Sequence, residues 1–280
     1  MHHHTRLMAV PLVAALGLVA ACGDDNTSGT PQAAADTTAG PGSGGTDLPQ
    51  GDEPVDLDPA DFTADIDNEY WPMEPGSQWT YSEVDEEGNE LQVVVTVTTE
   101  TKEIANGITA RIVRDTVTQD GELIEDTFDW YAQDADGTIW YLGEDTAEFE
   151  DGVISSTAGS FEAGVDGALP GVIMPANPAD GMRYRQEYYK GEAEDNGEIL
   201  SIDEQAQTAN GHFDEAVLTK DTITIEPDVV EYKLYAPGVG PVLVLGISGG
   251  GGREELTDHT QVSEDLARAA ATTPLGENYG

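Results

Sequence analysis

The sequence predicts a mainly β protein: a single-domain antiparallel meander forming a curved sheet, a sandwich or a barrel-like body. Three observations carry this expectation. Leu91, Val93, Val95 and Val97 alternate with Gln92, Thr96 and Thr98, a period of two that places one side of a strand inward. Segments rich in β-branched and aromatic residues recur along the chain with Gly-containing turns between them, Asp120-Gly121 and Asp136-Gly137 above all. No strand–helix–strand alternation occurs, which excludes nucleotide-binding and barrel folds of the α/β kind.

In chain order, the body begins where Tyr70, Trp71, Pro72, Pro75, Gly76 and Trp79 mark a turn leading into a strand. The alternating segment follows, then the two hairpins. Gly159 to Asp180 is rich in Gly and Pro and is expected to be a long loop. Further strands are expected at Met182 to Lys190, Glu198 to Asp203, Ala216 to Ile225, Val229 to Tyr235, Val242 to Ile247 and Glu254 to Thr260. Ser263 to Ala271 is the one helix expected, near a polar tail.

Ahead of this body stand two segments of different character. Arg6 precedes Leu7 to Ala21, a mostly apolar run without charge that suits a signal h-region and is short for a bilayer span. It ends Leu18-Val19-Ala20-Ala21-Cys22. Small residues before a lone Cys resemble the lipobox of bacterial lipoproteins. The resemblance implies export, cleavage before Cys22, and acylation of its thiol (diacylglyceryl, with palmitate-type chains). It also implies anchoring on the extracytoplasmic side of a cell membrane. Each buried methylene adds roughly 0.8 kcal/mol, so two or more chains hold where one does not. The single Cys of the chain is thereby accounted for, and an intrachain disulfide is excluded. From Gly23 to about Asp67 the residues are chiefly Gly, Ser, Thr, Pro, Ala, Asp and Glu, and the first basic residue after Arg6 is Lys102. Such a stretch is expected to be a disordered, self-repelling tether. The expected organisation is therefore signal peptide 1–21, acidic tether 22–68, β domain 69–262, and short helix with polar tail 263–280.

Charge bounds the partners. Fifty-five Asp and Glu against 11 Lys and Arg give a formal net charge of −44. That field repels phosphates, so nucleic acid is not a partner, and it disfavours lying on an anionic bilayer. Cations and basic partners fit it, as does simple solubility.

One pair of acids invites a sharper expectation. If Asp120-Gly121 is a two-residue turn, partner numbers sum to 241. Val117 then faces Ile124, Val113 faces Phe128, Arg111 faces Trp130, and Asp115 lies opposite Asp126 on the same face. Like charges so placed need a bound cation, a shared proton, or an Arg or Lys from another strand. Arg111, Arg185 and Lys233 are the candidates. Asp115, Asp126, Arg111 and Trp130 are accordingly the candidate ligand or ion site, with calcium as a cation it could take; a one-residue slip of register would dissolve the pair.

Other motifs give no chemistry. Asp134 to Ile139 resembles the middle of a calcium loop, but Ala132 stands where an oxygen ligand is needed and Gly143 where the terminal acid should fall. Gly246-Ile247-Ser248-Gly249-Gly250 fits a nucleophile elbow but leads into glycines and another strand. His212 and His259 are too far apart in sequence to define a zinc site. No cofactor is indicated.

Four blocks are similar to a group of extracytoplasmic bacterial proteins, often lipoproteins and uncharacterised. They are Gly121 to Asp134 running on to Trp140–Asp145, Glu162 to Ala176, Tyr184 to Asp195, and Val230 to Gly240. No activity comes with this resemblance, and no residue role is carried over. The expected function is a membrane-anchored β domain binding a cation, lipid, glycan or protein. Alternatives are a carboxylate-dependent hydrolase, using Asp115 and Asp126 or the acids Glu187, Glu192, Glu194 and Asp195, and a purely structural envelope lipoprotein. An enzyme is the less favoured outcome.

Overall fold

A computed structural model describes residues 48–250 and 252–280. The signal segment, Cys22 and the first part of the tether lie outside the described residues.

Fifteen strands form one antiparallel sheet. They are Phe62–Thr63 (β1), Ser77–Val84 (β2), Glu90–Glu103 (β3), Thr109–Gln119 (β4), Glu122–Asp134 (β5), Ile139–Glu150 (β6), Val153–Ser156 (β7), Phe161–Glu162 (β8), Gly171–Met174 (β9), Arg183–Arg185 (β10), Asp195–Gln207 (β11), His212–Ile223 (β12), Val230–Ala236 (β13), Gly240–Ser248 (β14) and Arg253–Gln261 (β15). The spatial order is β10-β11-β12-β13-β14-β15-β2-β3-β4-β5-β6-β7, with β1 added on β5 and β8 and β9 on β6. The body is thus a meander whose first long strand, β2, pairs with the last, β15. The sheet curls strongly but does not close into a barrel.

The curl brings distant strands face to face. Trp71, from the turn before β2, packs in tilted geometry with ring centroids 5.4 Å from Tyr131 of β5 and 6.0 Å from Tyr235 of β13. Trp79 and Tyr81 of β2 donate to the carbonyls of Val239 and Pro241, beyond the far end of β13. These rings fill the base of the cup, and burying them supplies much of the driving force.

The helix Glu264–Thr272 (α1) starts one residue later than expected, with Ser263 as its cap accepting from Leu266 N–H. The strands from β11 onward overlap their expected positions; β11, β14 and β15 run longer at both ends, β12 starts earlier and ends two residues sooner, and β13 is shifted by one residue. Three expectations are corrected. Within the stretch expected as a loop, β8 and β9 pair with β6. Of Met182 to Lys190 only Arg183–Arg185 is regular strand, because the chain turns inward at Gln186 and Glu187, both of whose N–H groups point to the Asp195 carbonyl. Residues 48–68 of the expected tether are laid on the domain. β1 pairs with β5, Ile66 bridges to Met73, and Arg185 holds the carbonyls of Gly51 and Glu53. Leu48, Val55, Leu57 and Phe62 pack on the core, apolar residues that the acidic composition around them obscures.

Two bulges decide which side chains point into the cup. Asp120 and Gly121 both have positive φ, 53° and 83°, as a two-residue hairpin turn requires. Gln119 then faces Glu122 and Thr118 faces Leu123, but Val117 faces Glu125, so Ile124 is an extra residue in β5. In β6, Tyr141 faces Tyr131 while Glu144 faces Asp129, so the strand takes an extra residue at Leu142–Gly143. Gly143 has φ 126°, and a Cβ there would collide with the Phe161 carbonyl oxygen. We predict that Gly143→Ala loses about 2–4 kcal/mol of unfolding free energy in urea titration, from overpacking and backbone strain together.

Candidate functional site

Register places the acids. Residues directly opposite share a face, and successive residues alternate. Val95 of β3 is core and faces Asp115 of β4, which faces Thr127 of β5. Val117 faces Glu125, and Val113 faces Asp129, which faces Glu144 of β6. On the other side of β3, Leu91 faces Glu83 of β2, Glu83 faces Glu254 of β15, Glu254 faces Val244 of β14, and Val244 faces Lys233 of β13. Glu231 faces Asp221 of β12, and Asp195 of β11 shares their face. Nine carboxylic acids therefore line the concave face: Glu83, Asp115, Glu125, Asp129, Glu144, Asp195, Asp221, Glu231 and Glu254. Glu187 joins them from the segment after β10. All ten are buried.

Few cations answer them. Lys233 lies 3.1 Å from Asp221 Oδ2 and 3.6 Å from Glu231 Oε2. Arg111 shares the face by register but is held at its edge by the carbonyls of Ala64, Thr98, Thr99 and Glu100 and by Asp65. Among the described residues, both oxygens of Glu187 and one each of Glu83, Asp115, Glu144, Asp195 and Asp221 have no hydrogen-bond partner, nor do the hydroxyls of Tyr184 and Tyr235. Native proteins rarely leave buried polar atoms so, and clusters of them mark a binding or proton-holding role.

Burial is the leading cause of the resulting pKa shifts. It pushes Asp129 up to about 7, against a downward pull from the Tyr141 hydrogen bond, and Glu83 up to about 8, with Glu231 and Asp85 adding to it. Asp115, Glu125, Glu144, Glu187, Asp195 and Glu254 are raised well above the usual carboxylate range by burial first and neighbouring acids second; for Asp195, Lys233 pulls the other way before those acids add. Burial alone would lower the Lys233 ammonium, but Asp221 and Glu231 outweigh it and hold it charged. At Tyr141 the need for a proton is visible in the geometry. Its hydroxyl lies 2.7 Å from Asp129 Oδ1 and 3.0 Å from Glu144 Oε2. One hydroxyl hydrogen serves one acceptor, so the second contact requires a protonated carboxyl donating to the tyrosine oxygen.

The sequence-derived site is rearranged. The bulge at Ile124 slips the register by one, so Asp115 faces Thr127 and Asp126 faces Thr116 on the opposite face. Asp115 and Asp126 do not face each other. Asp126 is matched by Arg114, which was not among the expected partners. Arg114 Nε lies 2.8 Å from Asp126 Oδ1, and its other nitrogens donate to the carbonyls of Ala270, Thr273 and Pro274. Gly276 N–H donates to Asp126 and the Tyr279 ring lies 4.5 Å from the guanidinium, so this pair straps the C-terminal segment to the convex face. Trp130 faces Ile112 on that side, under Lys102 Nζ at 3.1 Å from its ring centroid. Arg185 binds carbonyls of Pro170, Gly51 and Glu53.

Of the acids offered for a hydrolase, Glu187 and Asp195 come together inside, while Glu192 and Glu194 sit on a surface turn where Glu194 accepts from Gly191 N–H. Asp134 caps its own turn through the N–H groups of Asp136 and Thr138, and Ser248 Oγ donates to the Asp228 carbonyl. His259 stacks on Trp79 at 5.0 Å, and His212 is exposed beside Asp214. Among the described residues no three His, Cys, Asp or Glu side chains converge as metal ligands, and no helix is long and apolar enough to cross a membrane.

No protein-family model matches the chain, and no curated protein matches it. Among solved structures, a Parabacteroides distasonis protein described as a lipoprotein aligns over 69% of this chain and 99% of its own, with 14% identity and a TM-score of 0.38. So distant a match carries no functional reading.

Two outcomes follow. The raised acids bind more protons folded than unfolded between their ordinary values near 4 and their folded values near 7 to 8. Stability contributed by those protons is full at acidic pH and is lost as pH rises through that window. Thermal melts should show Tm falling from pH 5 to pH 8. At about 1.4 kcal/mol per pKa unit, Asp129 and Glu83 together cost on the order of 6 kcal/mol between pH 5 and pH 8. On the convex face, Arg114→Met should cost about 3–5 kcal/mol in urea titration by stranding Asp126. The double variant Arg114→Met, Asp126→Leu should recover much of that loss; if it does not, the cost lies in the C-terminal strap instead.

Proposed function

We propose that the protein is a lipid-anchored extracytoplasmic binding protein, held through Cys22, whose acid-lined β cup takes a cationic ligand. The observation that carries this reading is the concave face itself. Among the described residues, ten buried carboxylic acids share it with one engaged lysine and with Arg111 at its edge, and seven of their oxygens are without partners. Purely structural burial favours the opposite composition, since each unpaired acid lowers stability. A cation entering the cup would displace protons, find oxygen ligands or hydrogen-bond acceptors, and meet the faces of Tyr131, Tyr141 and Tyr235. The acidic exterior would concentrate such a ligand near the cup. The convex-face location of Asp126 disfavours an Asp115–Asp126 hydrolase pair.

The test presents the protein, extracted from membranes, with calcium, magnesium, spermidine and a lysine-rich peptide at pH 6 and pH 8. At least one should raise Tm saturably and release protons, by about 2.7 kcal/mol of stabilisation at a hundredfold excess over Kd. No shift with any of the four at either pH would sink the reading.

A further inference from the structure

The cup has one junction built differently from the rest. Elsewhere neighbouring long strands share ladders of several residue pairs. Between the β6–β9 side and the β10–β11 side, the sheet is joined by the isolated bridge of Leu169 to Tyr188, with Leu169 N–H donating to the Tyr188 carbonyl at 2.8 Å. Gly171 of β9 lies against the Gln186 backbone, where any side chain would collide. A further tie is Arg185. Its Nε donates to the Pro170 carbonyl at 2.9 Å on one side of the seam, while Nη1 holds the Gly51 and Glu53 carbonyls. Its own N–H donates to the Pro49 carbonyl. The segment that continues toward Cys22 is therefore clasped into the seam by the same guanidinium.

Under this thin joint lie acids from both sides. Asp129 and Glu144 come from β5 and β6, Glu187 and Asp195 from the segment after β10 and from β11. The Tyr141 hydroxyl bridges the first two and so requires a shared proton. Both Glu187 oxygens, Glu144 Oε1 and Asp195 Oδ1 have no hydrogen-bond partner. Around them stand Asp115 on β4, Glu125 and Tyr131 on β5, Asp221 on β12, and Glu231, Lys233 and Tyr235 on β13. The fully buried Arg185 guanidinium feels the charges of Glu53, Asp52 and Tyr188, and among the described residues its Nη2 has no hydrogen-bond partner. Lys233 lies closest to Asp221 and Glu231, and its charge also favours ionised Asp195 and Glu187, but burial and the neighbouring acids outweigh it at both.

We propose that the seam between β9 and β10 is a gate to the acid-lined face, latched by Arg185 and residues 49–53 and locked by protons shared among Asp129, Glu144, Glu187 and Asp195. Ionisation of these acids places like charges across a joint held by a single backbone bridge, so the gate opens there as pH rises. Opening exposes the acids where a cation could reach them.

Hydrogen exchange on the intact protein tests this without a ligand. Amides at Leu169, Gln186 and Glu187 are compared with Val93 to Val97 in the middle of β3 at pH 5.5 and 8.5, each corrected for its intrinsic rate. Protection at the seam should fall about tenfold or more relative to β3 at the higher pH, one pKa unit being a factor of ten. Glu187→Gln should remove most of that fall. Glu83→Gln, on the far side of the cup, should raise Tm at pH 8.5 and leave the seam's pH dependence intact. Seam amides that track β3 at both pH values would overturn the proposal, as would an unchanged fall in Glu187→Gln. If that variant does not fold, the wild-type ratio decides alone. Failure of the cation screen leaves the gate standing, and failure here leaves the cation reading standing.

Discussion

The structure depends on one constraint: carboxylic acids on the inner face of a curled sheet must be neutral or neutralised for the sheet to close. An ionised carboxylate moved from water into an apolar interior costs several kcal/mol even after relaxation. Ten of them cannot all be held charged by Lys233, which lies closest to Asp221 and Glu231, and by Arg111 at the edge of the face. Protons therefore belong to the folded state as much as side chains do. The tyrosines around the acids fit this role, since a hydroxyl can both donate and accept and so adapts to either protonation state.

The two faces of the sheet solve the burial of acid in opposite ways. On the convex side Asp126 meets Arg114 in a two-pronged pair, and the remaining guanidinium donors take the carbonyls that end α1. Every partner there is supplied by the chain, and the result is a fixed strap. On the concave side partners are missing, and the same residue types make a region whose state depends on what the solvent provides. The first arrangement gives rigidity and the second gives responsiveness, which is why the functional reading rests on the inner face.

Bulges translate one arrangement into the other. An extra residue at Ile124 carries Asp126 outward to Arg114 and keeps Asp115 inward with Glu125. The extra residue at Leu142–Gly143 puts Tyr141 and Glu144, three apart in sequence, on one face beside Asp129. Without the second bulge the Tyr141 bridge could not form. These departures from a period of two are local in the backbone and global in their effect on charge.

The mainly β class, the hairpin at Asp120-Gly121, the late strands and the helix capped by Ser263 were legible in the sequence, because alternation, turn chemistry and capping act over a few neighbouring residues. The identity of Asp115's neighbours was not. A bulge leaves no mark in a pattern of apolar and polar residues, and a one-residue slip exchanges the two faces of a strand. The gathering of Glu83, Asp129, Glu144, Glu187, Asp195 and Glu254 into one interior depends on the curl that brings β6 toward β11, more than 50 residues apart. With 55 acids in the chain, composition hides which are surface and which are core. Local propensity determined the strands. Only the curl and register of the sheet decided which carboxylates leave water together, because desolvation depends on everything that surrounds a group and not on its place in the chain.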